Sequence, residues 1–336
     1  MRSGNRGTRS AWTLGVVFVL LSSILILLML GGCSDTSGPD ESEGGDDPEP
    51  PEMVYVQHGT FTMGDGAAYC GGDEHWVTLT NDFYLGQHEV TNAEYAEALQ
   101  WAYDQDPRLV TATSSSVRDA MDDSTEELLD LDDSDCEISF SGGVFTVDTG
   151  KEQHPVIEVT WFGAARYCDW LSMASGLDRA YDHDGDWPCN GHDPYGAEGY
   201  RLPTDAEWEY AAQYDDERIY PWGDQGPTPA LANYGGNVGW TSPVGDYPDA
   251  PAALGLSDMA GNVWEWCNDW HECDLGDGAE QNPVGHQGAV YDRRVLRGGS
   301  WHIVFDSYMR CASRRRYYPD GSYYNGGFRV AKTVNP

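Results

Sequence analysis

Nineteen consecutive residues, Trp12 to Leu30, carry no charge, and this run decides how the rest of the chain can be used. A stretch this long and apolar approaches the roughly 20 residues that span a bilayer. Arg2, Arg6 and Arg9 precede it, and Leu30-Gly31-Gly32-Cys33 closes it. A positive start, an apolar core and a small-residue pair before a cysteine resemble a bacterial lipobox. On this reading residues 1–32 are a signal peptide and Cys33 becomes the lipidated first residue. The other reading is an uncleaved membrane anchor, and both place the remaining chain outside the cytoplasm. Ser34 behind the cysteine favours the outer membrane or cell surface over the inner membrane.

The exported part is acidic. Of 336 residues, 19 are Lys or Arg and 56 are Asp or Glu, a formal net charge of −37. Such a balance excludes electrostatic binding to nucleic acid or to an anionic bilayer, since both need clustered positive charge. No nucleic-acid partner is expected, and the membrane is reached through the lipid on Cys33. Cations, calcium above all, are the ligands the composition leaves open. Disorder is not implied, because 13 Trp, 20 Tyr and 8 Phe can build a large core. Forty Gly and 18 Pro argue for loops over long helices. Seven cysteines follow Cys33, and in an exported protein most are expected in disulfides. No C-x-x-C occurs, which argues against a thioredoxin-type or zinc-ribbon site.

Residues 33–52 hold eight acids and no base, with Pro, Gly and Ser between them, and read as a flexible linker. Residues 53–336 read as one domain. Met53-Val-Tyr-Val-Gln, Gly59-Thr-Phe-Thr-Met-Gly, Trp76-Val-Thr-Leu-Thr and Phe83-Tyr-Leu-Gly alternate as short strands. Thr91-Asn-Ala-Glu94 is a capping box opening a helix to about Ala102, and Thr204-Asp-Ala-Glu207 is a second one. Between them, Trp161, Ala164, Ala165, Cys168 and Leu171 fall on one helical face after Thr160. Residues 104–150, with ten acids in 119–137, read as a surface insertion carrying a short helix near Glu126–Leu131. Tyr181-Asp-His-Asp-Gly-Asp-Trp suggests a calcium loop, but its Gly is misplaced for an EF-hand and the closing Glu is missing.

Several ordered blocks resemble one family. They include His88-Glu-Val-Thr-Asn-Ala-Glu-Tyr95, His154-Pro-Val-Ile-Glu-Val-Thr-Trp161 and Gly199-Tyr-Arg-Leu-Pro-Thr-Asp-Ala-Glu-Trp-Glu-Tyr210. Gly255-Leu-Ser-Asp-Met-Ala-Gly-Asn-Val-Trp-Glu-Trp266, Arg297-Gly-Gly-Ser-Trp301 and Gly327-Phe-Arg-Val330 complete them. Together they resemble the formylglycine-generating enzyme, or sulfatase-modifying factor, domain. The resemblance implies an α+β, C-type-lectin-like fold, compact and rich in loops. It implies a calcium site at Asp258, Gly261, Val263 and Glu265, with the Gly and Val acting through carbonyls. A second site would start at Asn233 and Tyr234. Two carboxylates seven residues apart around a Gly turn are a reasonable start for an ion that takes six to eight oxygens. Trp264, Ser300, Trp301, His302 and Arg314 are placed at the family's substrate groove.

The family's oxidases use copper on two cysteines soon after the Gly-Gly-Ser block, because paired thiolates select soft Cu(I). Here Trp301–Arg310 contains no cysteine, and Cys311 matches a later position that is structural in the family. Copper is therefore not expected. The sequence points to a calcium-supported binding or scaffold module with a protein, peptide or glycan ligand. The alternative is a formylglycine-generating-type oxidoreductase acting on protein or peptide substrates. Replacing Cys33 by Ala should leave unprocessed precursor that fractionates away from the outer membrane, as detected by gel mobility and membrane fractionation. Normal processing and partition would refute lipidation.

Overall fold

The computed structural model describes residues 47–66, 74–183, 186–213, 216–248, 254–285 and 292–334. The chain divides into two units, 1–43 and 44–336, and every described residue belongs to the second. Cys33, the signal segment and most of the acidic linker lie outside the described residues, as does Cys70. Among the described residues no helix is long and apolar enough to cross a membrane.

Three helices form where the sequence supplies their starts. In α1 (Asn92–Asp104), Thr91 Oγ1 accepts the Glu94 N–H at 3.2 Å, and the Glu94 carboxylate takes the Thr91 N–H at 2.8 Å. This reciprocal cap satisfies two donors that a helix start leaves unmet. Helix α2 (Trp161–Ala174) starts on Thr160, which accepts from the Gly163 N–H at 3.0 Å. Helix α3 (Asp205–Gln213) repeats the box, with Thr204 and Glu207 bonded both ways at 2.9 and 3.1 Å. The predicted face of α2, from Trp161 to Leu171, is fully buried.

Short strands make up the remainder, as 40 glycines require. One four-stranded antiparallel sheet runs in the order Met53–Val56, Phe83–Gly86, Ala331–Thr333, Tyr200–Arg201. A second runs Arg315–Tyr317, Arg294–Arg297, Trp264–Trp270, Gly326–Gly327, its last pairing parallel. Thr60–Met63, His75–Thr78 and Glu280–Gln281 form a third, smaller sheet. The loop-rich α+β architecture agrees with the expectation from the sequence.

Two details depart from it. The insertion is not confined to the surface. Val110, Val117, Leu128, Leu129, Ile138 and Phe145 enter the main core with Tyr95, Trp161 and Trp170. Glu126–Leu131 holds no helix; Glu127–Asp130 is a strand paired with Ser116–Asp119. Its backbone groups are met by neighbours on its other edge too: Leu128 O accepts from the Thr160 N–H, and the Asp130 N–H donates to Glu158 O. With both edges satisfied and two adjacent leucines buried, an extended strand wins over a helical turn. The linker also ends early. Pro48 and Pro51 are buried, and Asp47 accepts from Trp101 Nε1 at 2.9 Å.

Glycine 163 seats α2 on this strand. A Cβ there would overlap the Leu128 carbonyl oxygen and crowd the Tyr95 hydroxyl. In an unobstructed helix Gly→Ala stabilises by about 1 kcal/mol. Here Gly163→Ala should instead destabilise by about 2 kcal/mol or more through overpacking, measured by urea unfolding. A stabilised variant would show that the insertion does not bear on α2.

Candidate functional site

The turn before strand Trp264–Trp270 carries the proposed ion ligands. Asp258 holds a left-handed backbone, φ 57°, and is buried. Its Oδ2 accepts from the Gly245 N–H, while its Oδ1 has no partner within the protein. Burial pushes this carboxyl up to about 7. Gly261, at φ 89°, passes so close to Asn233 that a Cβ would overlap the Asn233 carbonyl. The Asn262 N–H donates to that carbonyl at 2.9 Å, so the structure brings the Asn233 segment beside the Gly261 turn. The buried Asn233 Oδ1 has no protein partner. Tyr234 turns aside and donates its hydroxyl to Pro227 O. Val263 is buried against Gly327.

Glu265 is held differently. Arg329 grips both of its oxygens, at 2.6 and 2.7 Å, and Trp208 Nε1 donates to Oε2 at 2.7 Å. Its charge is therefore compensated by a buried bidentate pair. Sequence reasoning missed Glu89, which is fully buried with both carboxylate oxygens lacking partners. Burial, followed by the charges of Asp258 and Glu265, pushes its carboxyl well above the ordinary range. The one available signal was its place in the His88-Glu-Val-Thr-Asn block.

The groove residues divide. Ser300 is buried, its Oγ accepting from Asn325 Nδ2 at 3.2 Å. The Trp301 N–H donates to Asn262 O, tying the groove to the Gly261 turn. The Trp301 ring packs on Trp240 at 5.0 Å, His302 at 5.4 Å and Tyr324 at 5.9 Å. Trp264 is buried and meets the Tyr308 ring edge-on at 5.8 Å. Next to this cluster Val304 and Phe305 are each 64% exposed. Arg314 does not join them. It pairs with Asp205 at 2.8 Å and donates to Glu272 O at 2.6 Å, drawn away by the acid at the start of α3.

The insertion also supports the aromatic cluster around Trp301. Glu137 accepts from Trp240 Nε1 at 2.7 Å, from Asn92 Nδ2 at 2.7 Å and from Lys151 at 2.7 Å. It thereby fixes the indole on which Trp301 leans. In the same insertion Asp133 and Asp135 approach Glu158, their ligand atoms within 4.8 Å of one another. Burial and the neighbouring acids push Glu158 up to about 8.

Among the described residues Cys273 is disulfide-bonded, while four other cysteines do not meet the pairing expected of an exported chain. Cys136, Cys168, Cys189 and Cys267 carry free thiols. Burial holds them protonated, Cys136 and Cys189 pushed up to about 12 and the other two well above the ordinary thiol value.

Fold and motif blocks together define a sulfatase-modifying-factor-type domain. The family model described as "Sulfatase-modifying factor enzyme 1-like domain" matches residues 40–334, and the chain belongs to this family. It is 33% identical over 290 residues to the serine/threonine-protein kinase Pkn1 of Chlamydia trachomatis serovar L2, covering 84% of this chain and 38% of the kinase. The chain thus spans under two fifths of that relative's length. It is 32% identical to the formylglycine-generating enzyme of Streptomyces coelicolor, covering 84% of this chain and 90% of the enzyme. Among solved structures it is similar to Treponema denticola variable protein 1, with a TM-score of 0.59 and 25% identity, covering 84% and 95% of the two chains.

Proposed function

We propose that this chain is an exported, lipid-anchored binding module that uses the family fold without the copper oxidase chemistry. The observation that carries this reading is the stretch after Ser300. Where the family's oxidases place a cysteine pair, this chain has Ile303, Val304, Phe305 and Tyr308 and no sulfur before Met309. Val304 and Phe305 stand open to solvent beside an aromatic cluster, an arrangement suited to burying part of a ligand. The ligand is a protein, a peptide or a glycan, for which aromatic faces serve as contact platforms.

The reading predicts that a Cys-x-Pro-x-Arg peptide incubated with the protein, copper and oxygen keeps its thiol, as followed by mass spectrometry. Conversion of the cysteine to an aldehyde would establish the oxidoreductase alternative instead.

Calcium is the ion proposed to support the groove. Asp258 Oδ1, Asn233 Oδ1 and the two Glu89 oxygens supply hard donors that are buried and unsatisfied within the protein, and unpaired buried acids are costly. The carbonyls of Gly261 and Val263 belong to the same turn. Glu265, committed to Arg329, serves by shaping the turn. When bound, calcium would compensate the negative charge there and fix the loop from which Trp301 is hung. An ion that binds only the native state raises stability by mass action, by about 2.7 kcal/mol at a hundredfold excess over Kd. Chelation should therefore lower the melting midpoint, and Asp258→Asn should abolish the difference. A midpoint indifferent to chelator would refute the site.

A further inference from the structure

Strand Trp264–Trp270 delivers one acid that neither the groove nor the ion turn uses. Asp269 is 3% exposed. Its Oδ2 accepts the backbone N–H of Asp205, the first residue of α3, at 2.9 Å. Among the described residues no hydrogen bond is made to its Oδ1, and Asp269 lines a cavity of about 320 Å³. Burial and the nearby Asp205 carboxylate push Asp269 up to about 7, the condition of an acid short of positive charge.

The walls of this cavity combine two kinds of surface. Met63, Leu275 and Val284 give it apolar sides. Asp274 and Glu280, both exposed, add negative charge further out. Of the described basic groups on the wall, His75 is buried, and Arg314 is already committed to Asp205 and to the Glu272 carbonyl. His271 lies beside it, and burial next to Arg314 pushes this imidazole down to about 4, so it is neutral at physiological pH. Among the described residues lining the space, Asp269, Asp274 and Glu280 leave the uncommitted charge negative.

Geometry separates an organic cation from a metal ion. A divalent ion needs six to eight oxygens in one coordination sphere, from carboxylates, amides, backbone carbonyls or water. Here Asp205 is already held by Arg297 and Arg314, which leaves Asp269 as the deep acid of the cavity. Its acids are spread around a space at the lower end of the size that ligand pockets occupy. One deep acid, apolar sides and acids at the rim complement an aliphatic stem ending in a positive head, the form in which lysine and arginine bury their methylenes.

We propose that this cavity binds a single cationic side chain, an alkylammonium or guanidinium on an aliphatic stem, presented by a peptide or protein partner. Asp269 Oδ1 takes the head, Met63, Leu275 and Val284 take the stem, and Asp274 and Glu280 guide it in. The site shares neither the calcium turn nor the aromatic face at Trp301, and it stands or falls apart from both.

The test is an NMR titration of the protein with acetyl-Gly-Lys-Gly-amide and with the uncharged analogue in which norleucine replaces lysine. The lysine peptide should bind about tenfold or more tightly than the norleucine peptide, the scale of one buried charge-assisted hydrogen bond. Asp269→Asn should abolish that preference. Asn keeps an oxygen for the Asp205 N–H, so the start of α3 is preserved and the melting midpoint reports folding. Should that variant fail to fold, the exposed double variant Asp274→Asn, Glu280→Gln is expected to weaken the lysine peptide about two- to threefold. Equal binding of the two peptides would overturn the proposal. So would undiminished lysine binding by Asp269→Asn, or full displacement of the lysine peptide by millimolar calcium.

Discussion

The contact between Glu265 and Arg329 is the one on which the remaining structure depends. A fully buried guanidinium closes on both oxygens of a fully buried carboxylate. The remaining donors of Arg329 reach the carbonyls of Gly86, Gln87 and Ser257. Trp208 of α3 adds its indole N–H to the same carboxylate. One pair thus gathers the end of an early strand, the Ser257 turn, the central strand and the third helix. Removing either partner would strand a charge in the core, a loss of about 3–5 kcal/mol for such pairs. The pattern recurs: Arg201 grips Glu207, Arg297 holds Asp205 and Glu209, and Arg166 holds Asp119 and Asp169. A chain with few long elements fixes its loops through buried, directional ion pairs, which specify geometry where apolar packing alone would leave latitude.

How much of this the sequence disclosed follows from the range of the forces involved. The starts of α1 and α3 were legible because a capping box acts over three residues. The α2 face was legible because burial repeats with the helical period. The strand at Glu127–Asp130 was not, since its backbone partners at Glu158 and Thr160 lie some thirty residues on, and its two leucines read equally well as a helix turn. In the groove, Ser300, Trp301 and His302 stay together because they are consecutive, and Trp264 joins through the neighbouring strand. Arg314 left the group because Asp205, more than a hundred residues earlier, competes for its guanidinium. Glu137 acts at long range and had no local mark, while the mark of Glu89 was its place in the His88-Glu-Val-Thr-Asn block.

The acidic balance changes meaning once the interior is considered. Arg166, Arg201, Arg294, Arg297 and Arg329 are all buried, so part of the small stock of positive charge never reaches the surface. Arg294 lies between the Trp161 and Trp270 rings, 3.7 Å from each centroid, and burial pushes it down to about 9. Buried acids pair with the other four, and the exposed face keeps most of its excess. A surface excess of negative charge repels polyanions and attracts basic groups.

The first sheet holds one more consequence. Met53–Val56 and Ala331–Thr333 lie on either side of Phe83–Gly86, both antiparallel to it and so parallel to each other, with Met53 opposite Gly86 and Thr333 opposite Phe83. The strand that opens the sheet and the strand that ends it thus clamp the same central strand from its two flanks. Losing either one would leave a row of backbone groups of Phe83–Gly86 unpaired. The two ends of the folded unit therefore hold or open together.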